Sequence, residues 1–377
     1  MELWLKARSK RPRSMSRALA SGMEELWQIS LSGMLGCMDP IAFTRQLVDI
    51  ESITGNEAAL GEFLVRELQA LGFAVQKMPV PFPPDTESAG RERFNVYAVA
   101  GSRPEIVFST HMDTVPPFVP AREDQERIYG RGACDAKGIM AAQIAAALQL
   151  RREGRQLGLL YVVGEERDSL GASVANGQAP EPRPLYLING EPTDNRLATA
   201  SKGSLRVQLT ASGRMAHSAY PELGESAIEK LLDALQRLRS MVLPSNPEVG
   251  PATMNIGTIE GGRAPNVVPD HARAQLQYRL VGPSAALRRE IEQAVCGLAE
   301  AEFVLEIPFV KLKTVAWLPT MVAAFTSDIP GLNHWGEALL MGPGSIHVAH
   351  TDGEYIEKAE VLRAVELYCL IARELAP

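Results

Sequence analysis

The sequence predicts an α/β protein: a mostly parallel sheet layered with helices and interrupted by an inserted α+β segment. Short, almost wholly apolar runs alternate with helical stretches, the pattern of strands buried on both faces. Each run closes in a polar cluster, and ligands of such sheets bind at the carboxyl ends of the strands. Beyond Ser201 the alternation changes to half-exposed strands and amphipathic helices.

In chain order, a helical pattern covers 41–71, starting from a capping-like Asp39-Pro40 and ending before Gly72. Ile106-Val-Phe108 leads into Thr110-His-Met-Asp113, and Cys134-Asp-Ala-Lys137 opens an alanine-rich helix over 138–150. The run 159–163 closes in Gly164-Glu-Glu166, and 185–188 closes in Asn189-Gly-Glu191. The second region reads as strand 205–210, helix 226–241, strands 254–259 and 272–280, helix 284–299 and strand 303–307. This β-α-β-β-α-β order is the split βαβ of ferredoxin-like domains. After Lys311 the chain rejoins the first layer through a Gly342-Pro-Gly344 turn, His350 and a closing helix over 358–375. At 377 residues the chain exceeds the usual size of one domain. The expected division is an N-terminal extension, 1–37, a first domain built from 38–200 and 309–377, and an inserted domain, 201–308.

The net charge of −7 argues against nucleic acid as the main partner, because phosphate binding needs a clustered positive field. Cys37, Cys134, Cys296 and Cys369 are too sparse for a disulfide framework and form no CxxC pair, which points to the cytoplasm and away from thiolate metal sites. No run approaches the roughly 20 apolar residues of a membrane span. The extension starts basic, with Lys6, Arg8, Lys10, Arg11, Arg13 and Arg17, and Glu24 and Glu25 interrupt its only apolar stretch. That is unlike a signal peptide. Met34-Leu-Gly-Cys37 faintly resembles a lipoprotein cleavage site, but a disordered extension, or an upstream start with Met38 as the working initiator, is the reading adopted.

Five residues have the chemistry for a pair of zinc-like ions: His111, Asp135, Glu166, Glu191 and His350. Asp113 is expected to accept the other N–H of the His111 ring and fix its tautomer. Asp135, at a helix start, can offer one oxygen to each of two ions, and Glu165 is left free as a base. Such a set would activate a bridging water and face the substrate carbonyl with a Lewis acid. Singly, each has a plain alternative: a histidine at a strand end, a solvated acidic pair, a loop carboxylate. Their joint placement after apolar strands favours the chemical reading. His347 competes with His350; His271 and His334 have no supporting neighbours, and Cys134 reads as small packing.

Thr110-His-Met-Asp-Thr-Val-Pro116, Tyr129-Gly-Arg-Gly-Ala-Cys-Asp-Ala-Lys-Gly138, Glu165-Glu166, Gly190-Glu-Pro-Thr193 and Gly261-Gly-Arg-Ala-Pro-Asn-Val-Val-Pro269 together resemble the M20 metallopeptidase family. Within it they look most like the acetylornithine deacetylase and succinyl-diaminopimelate desuccinylase branch. The resemblance implies an α/β/α catalytic domain with an inserted ferredoxin-like lid that forms a homodimer interface. It implies two Zn²⁺ or Co²⁺ ions, His111 and Glu191 holding one, Glu166 and His350 the other, and Asp135 bridging. It also implies Glu165 as general base, and His217 as an oxyanion-steadying histidine that serves the opposite subunit. Asn266 and Arg279 would hold the substrate carboxylate, and Thr326 would line the acyl pocket. His350-Thr-Asp-Gly-Glu354 fits the family's closing pattern, which decides for His350 over His347. Ala136, Thr110 and the short stretch 309–350 depart from the usual pattern. The activity implied is removal of acetyl from an N-acyl amino acid such as N-acetylornithine. The alternatives are desuccinylation, dipeptidase or carboxypeptidase action, and a non-catalytic binding protein of the same fold.

Overall fold

The computed structural model describes residues 38–82 and 92–376; the predicted extension, 1–37, lies outside the described residues. The larger sheet has six strands: β1 (Ala74–Pro79), β2 (Phe94–Ala100), β3 (Ile106–His111), β4 (Leu157–Val162), β5 (Tyr186–Asn189) and, after the insert, Glu337–Leu340. Their spatial order is β1-β2-β4-β3-β5 followed by Glu337–Leu340. β2 alone runs against the rest. Every residue of β3 and β4 is buried, which is why their sequences read as unbroken apolar runs.

Side chains alternate across this sheet and seat a helix layer on each face. Phe108 meets Tyr368 of the closing helix edge-on at 5.4 Å. On that side, α1 (Pro40–Val48) and the closing helix (Lys358–Leu375) pack against α3 (Gly138–Arg152), and α2 (Ala58–Ala70) covers β1 and β2. Alanine is the reason α3 can be buried nearly all round: small side chains let both neighbours approach. On the other face Tyr97 meets Trp335 at 5.1 Å, above Val107, Leu160 and the alanines of α4 (Leu170–Gly177).

The helical pattern over 41–71 proves to be two helices. Between them Ile53 bridges to Thr114, and the Thr54 N–H donates to the Thr114 carbonyl at 3.1 Å. Strand-like pairing beside Asp113 displaces helix there. β1, β2 and Glu337–Leu340 had no counterpart among the predicted strands.

The insert is a four-stranded antiparallel sheet of β6 (Gly203–Ser212), β7 (Thr253–Gly261), β8 (His271–Leu280) and β9 (Glu300–Ile307), ordered β7-β8-β6-β9. One face is covered by α5 (Ala227–Arg239) and α6 (Ala285–Val295). Leu231, Leu235, Leu238, Leu287 and Ile291 pack there on Leu205, Val207, Leu276 and Tyr278. Ser226 caps α5, its hydroxyl accepting the Glu229 N–H at 3.2 Å. The two crossings into the insert lie side by side, because Leu197–Ser201 pairs with Val310–Lys311 and with Thr320–Ala323. No described helix is long and apolar enough to cross a membrane.

Candidate active site

Three neighbouring parallel strands deliver the site. His111 ends β3, Glu165 and Glu166 follow β4, and Glu191 follows β5. Asp135 comes from the turn ahead of α3 and His350 from the segment before the closing helix. Asp135 stands between the imidazoles: its Oδ1 lies 2.9 Å from His111 Nε2 and its Oδ2 3.4 Å from His350 Nε2. His350 Nε2 is also 2.8 Å from Glu166 Oε1. Donor atoms of His111, Asp135 and Glu191 all lie within 4.8 Å of one another, and so do those of Asp135, Glu166 and His350. His347 belongs to neither group. His350 adopts a left-handed φ of 63°, unusual for a residue with a side chain.

Two glycines make the convergence possible. A Cβ on Gly190 would sit 2.3 Å from Ile139 Cγ2, and one on Gly342 would sit 2.6 Å from the Glu191 carbonyl oxygen. The segment bearing Glu191 is thus pressed between α3 and the Gly342 turn with no room for a methyl group.

Asp113 does not play the part the sequence suggested. The His111 Nδ1 partner is the backbone carbonyl of Asp113 at 2.9 Å, whereas the carboxylate is 3.7 Å away. The Asp113 carboxylate instead gathers the N–H groups of Gly164 (2.9 Å), Glu165 (3.1 Å) and Glu166 (3.2 Å), with the Thr54 hydroxyl at 2.8 Å. Three consecutive donors converging on one buried carboxylate leave it no geometry for the ring. The tautomer is still fixed, by the carbonyl.

The electrostatics call for cations. Burial opposes charge on His111, but its bond to Asp135 and the nearby Asp135, Glu191 and Glu165 charges outweigh this and raise the ring well above its ordinary range. Bonds to Asp135 and Glu166 raise His350 to about 10. Burial, then the Glu165 and Asp135 charges, push Glu191 well up. Glu165 is likewise pushed up by burial and by the Asp328, Glu166 and Asp113 carboxylates, against the pull of His111. Crowded acids with only two imidazoles among them are the donor chemistry that two divalent ions satisfy. The residues present fit such ions.

The predicted lid residues fall into two places. His217 and Asn266 are brought together: His217 pairs with Val267, and the Ser218 N–H donates to the Asn266 carbonyl. Both are exposed on the lid, outside the ion cluster, with the His217 ring edge-on to Tyr220. Arg279, half-buried on β8, lies within electrostatic reach of Glu165. Thr326 is half-buried in the loop after Thr320–Ala323. Two further residues prove to be buried neighbours of the site. Burial, the largest influence, pushes the Asp328 carboxyl up to about 7, with His111 among the charges that reach it. Glu354 is bonded to the Asp135 turn. For Glu354 the available signal is the motif His350-Thr-Asp-Gly-Glu354, and for Asp328 only its place two residues after Thr326.

Comparison with known proteins agrees. The M20 peptidase dimerisation domain matches residues 199–302. A probable carboxypeptidase of Aspergillus terreus is 40% identical over 366 residues, covering 87% of this chain and 84% of that protein. A peptidase M20 domain-containing protein of Schizosaccharomyces pombe is 37% identical over 343 residues, covering 87% and 82%. A tripeptidase from Staphylococcus aureus superposes with a TM-score of 0.73 over 90% of this chain and 100% of that one, at 22% identity, a likeness of fold. With two layers of helix on the sheet, an inserted dimerisation domain and relatives matching along most of its length, the chain belongs to the M20 family of metallopeptidases.

Proposed function

We propose that the protein is a two-cation carboxypeptidase that releases the C-terminal amino acid of a short peptide or N-acylated amino acid. The observation that carries this is the pair of donor groups sharing Asp135, with Glu165 beside them and in neither group. His111 and Glu191 would hold one ion, Glu166 and His350 the other. Bound there, zinc, cobalt or a similar ion would polarise the scissile carbonyl and acidify a water.

The chain's own residues supply the rest. Glu165, its carboxyl raised by burial, is matched to taking a proton from the attacking water and returning it to the departing amine. Asp113 keeps Glu165 and Glu166 on one rigid loop through their N–H groups. Arg279 offers a forked guanidinium to the substrate carboxylate, with Asn266 as a second holder and Thr326 on the acyl side. His217, exposed on the lid, would serve the site of a second copy by steadying the oxyanion.

Acetyl removal from an amino acid such as ornithine would cleave the same type of bond with a shorter acyl portion. The carboxypeptidase description of the Aspergillus terreus relative moves the reading toward peptides. Turnover of dipeptides, their C-terminal amides, N-acetylornithine and N-succinyl-diaminopimelate by Zn²⁺- or Co²⁺-loaded protein tests it. Free-carboxylate dipeptides should be cleaved and their amides spared; selective cleavage of N-acetylornithine would replace the reading with the deacetylase one. Glu165→Gln should still bind metal yet lose roughly 10²–10⁴ in kcat.

A further inference from the structure

We infer that Glu354, locked by Arg131, is a positioning residue that holds the shared Asp135 carboxylate between the two halves of the site. The inference rests on the two-cation reading above. Arg131 and Glu354 form an ion pair at 2.6 Å whose side chains are only 2% and 1% exposed. The other Glu354 oxygen, Oε1, accepts the backbone N–H groups of Cys134 and Asp135, each at 3.2 Å. Asp135 leaves helical geometry, at φ −124° and ψ 89°. In that turn Glu354 provides a buried acceptor for two donors that would otherwise need one.

Arg131 spreads the connection further. Its Nη1 donates to the carbonyl of Thr351, the residue after His350, at 3.2 Å, and its Nε to the carbonyl of Pro117 at 3.3 Å. Pro117 belongs to the segment that leaves His111 and Asp113, and the Gly130 N–H returns to the Glu354 carbonyl at 3.0 Å. Three of the chain segments that bring donors to the ions therefore meet on one pair. A buried ion pair is weak evidence for stability, since well-packed apolar residues of equal volume often serve as well. A device that fixes where Asp135 points has a reason to be ionic. Outer partners of this kind orient ligands without touching metal.

Zn²⁺ affinity and stoichiometry, measured on metal-free protein by competition with a chromophoric chelator, test the idea alongside the melting temperature. Glu354→Gln should fold and bind Zn²⁺ about 10–100-fold more weakly. Because Asp135 serves both groups, both ions should be affected. Arg131→Gln/Glu354→Gln, which removes both charges of the pair together, should show the same weakening even if the single variant folds poorly. A parent that binds two ions with variants within twofold of it overturns the inference alone. A parent that binds none overturns the two-cation reading and this inference with it. Failure of both variants to fold also counts against it, because the pair would then hold the fold and not the site.

Discussion

If His111 and His350 hold the ions as proposed, protons and cations compete for the same nitrogens. Both rings are raised by the acids around them, and His350, raised to about 10, carries a proton in the metal-free protein at pH 7, while His111 is shifted in the same direction. A metal takes a neutral imidazole, so loading must expel any proton held there. The sign follows: affinity rises with pH while the rings are being deprotonated, up to about pH 10 for His350, and falls as acid refills them. Titration calorimetry with Zn²⁺ at pH 7 in buffers of different ionisation enthalpy should give a net release of protons. A heat independent of buffer would mean that the acids do not hold the imidazoles charged.

At the level of elements, the 164–166 loop is organised from outside itself. Gly164, Glu165 and Glu166 follow β4 with their N–H groups turned toward Asp113, on the strand-end segment next door. Asp113→Ala would leave three N–H donors without their acceptor, at a cost in stability of roughly 1–3 kcal/mol for each one that stays buried and unsatisfied. With Glu165 and Glu166 loosened together, kcat should fall more than tenfold while KM changes little, by the logic that misplacement of catalytic groups is felt in the transition state. Steady-state kinetics on the folded variant checks this, and a KM effect alone would assign Asp113 to substrate binding. The Thr54 hydroxyl, on the break between α1 and α2, completes the Asp113 carboxylate shell. That break is therefore part of the site's scaffold.

Across the whole molecule the predicted lid residues differ in their access to the ion cluster. Arg279 is close enough to Glu165 to feel its charge within one chain, whereas His217 and Asn266 stand exposed. β7 is an edge strand of the lid sheet, largely exposed, and carries Ile259 at 55% exposure. An exposed edge is a template for pairing with another chain. If two copies join along it, sedimentation should find a dimer and Ile259→Lys a monomer. That monomer's kcat should drop roughly 10²–10³-fold, as His217→Ala should, because both remove one oxyanion donor. A fully active monomer would show that His217 is not needed from a second copy.

Most of the architecture and the chemical inventory are legible in the chain, with β1, β2, Glu337–Leu340 and the break between α1 and α2 as the exceptions. Apolar runs ending in acids and histidines identify parallel strands with a site at their ends, because burial on both faces leaves only the strand termini for polar groups. The order of the insert follows from its half-exposed alternation, and Asp135, Glu166, Glu191, His111 and His350, which the fold brings together, were legible as a candidate donor set because metal chemistry restricts the donor types. Tertiary structure decided what depends on contacts between distant segments. It brought the ring of His350, already preferred over His347 by the closing pattern, to Asp135 and Glu166. It gave the Asp113 carboxylate to the 164–166 loop and left the His111 ring to a backbone carbonyl. It tied Glu354 to a turn some 220 residues earlier. Hydrogen-bond partners across such separations leave no periodicity in the chain, since the sequence carries the donors and acceptors and only the packed fold pairs them.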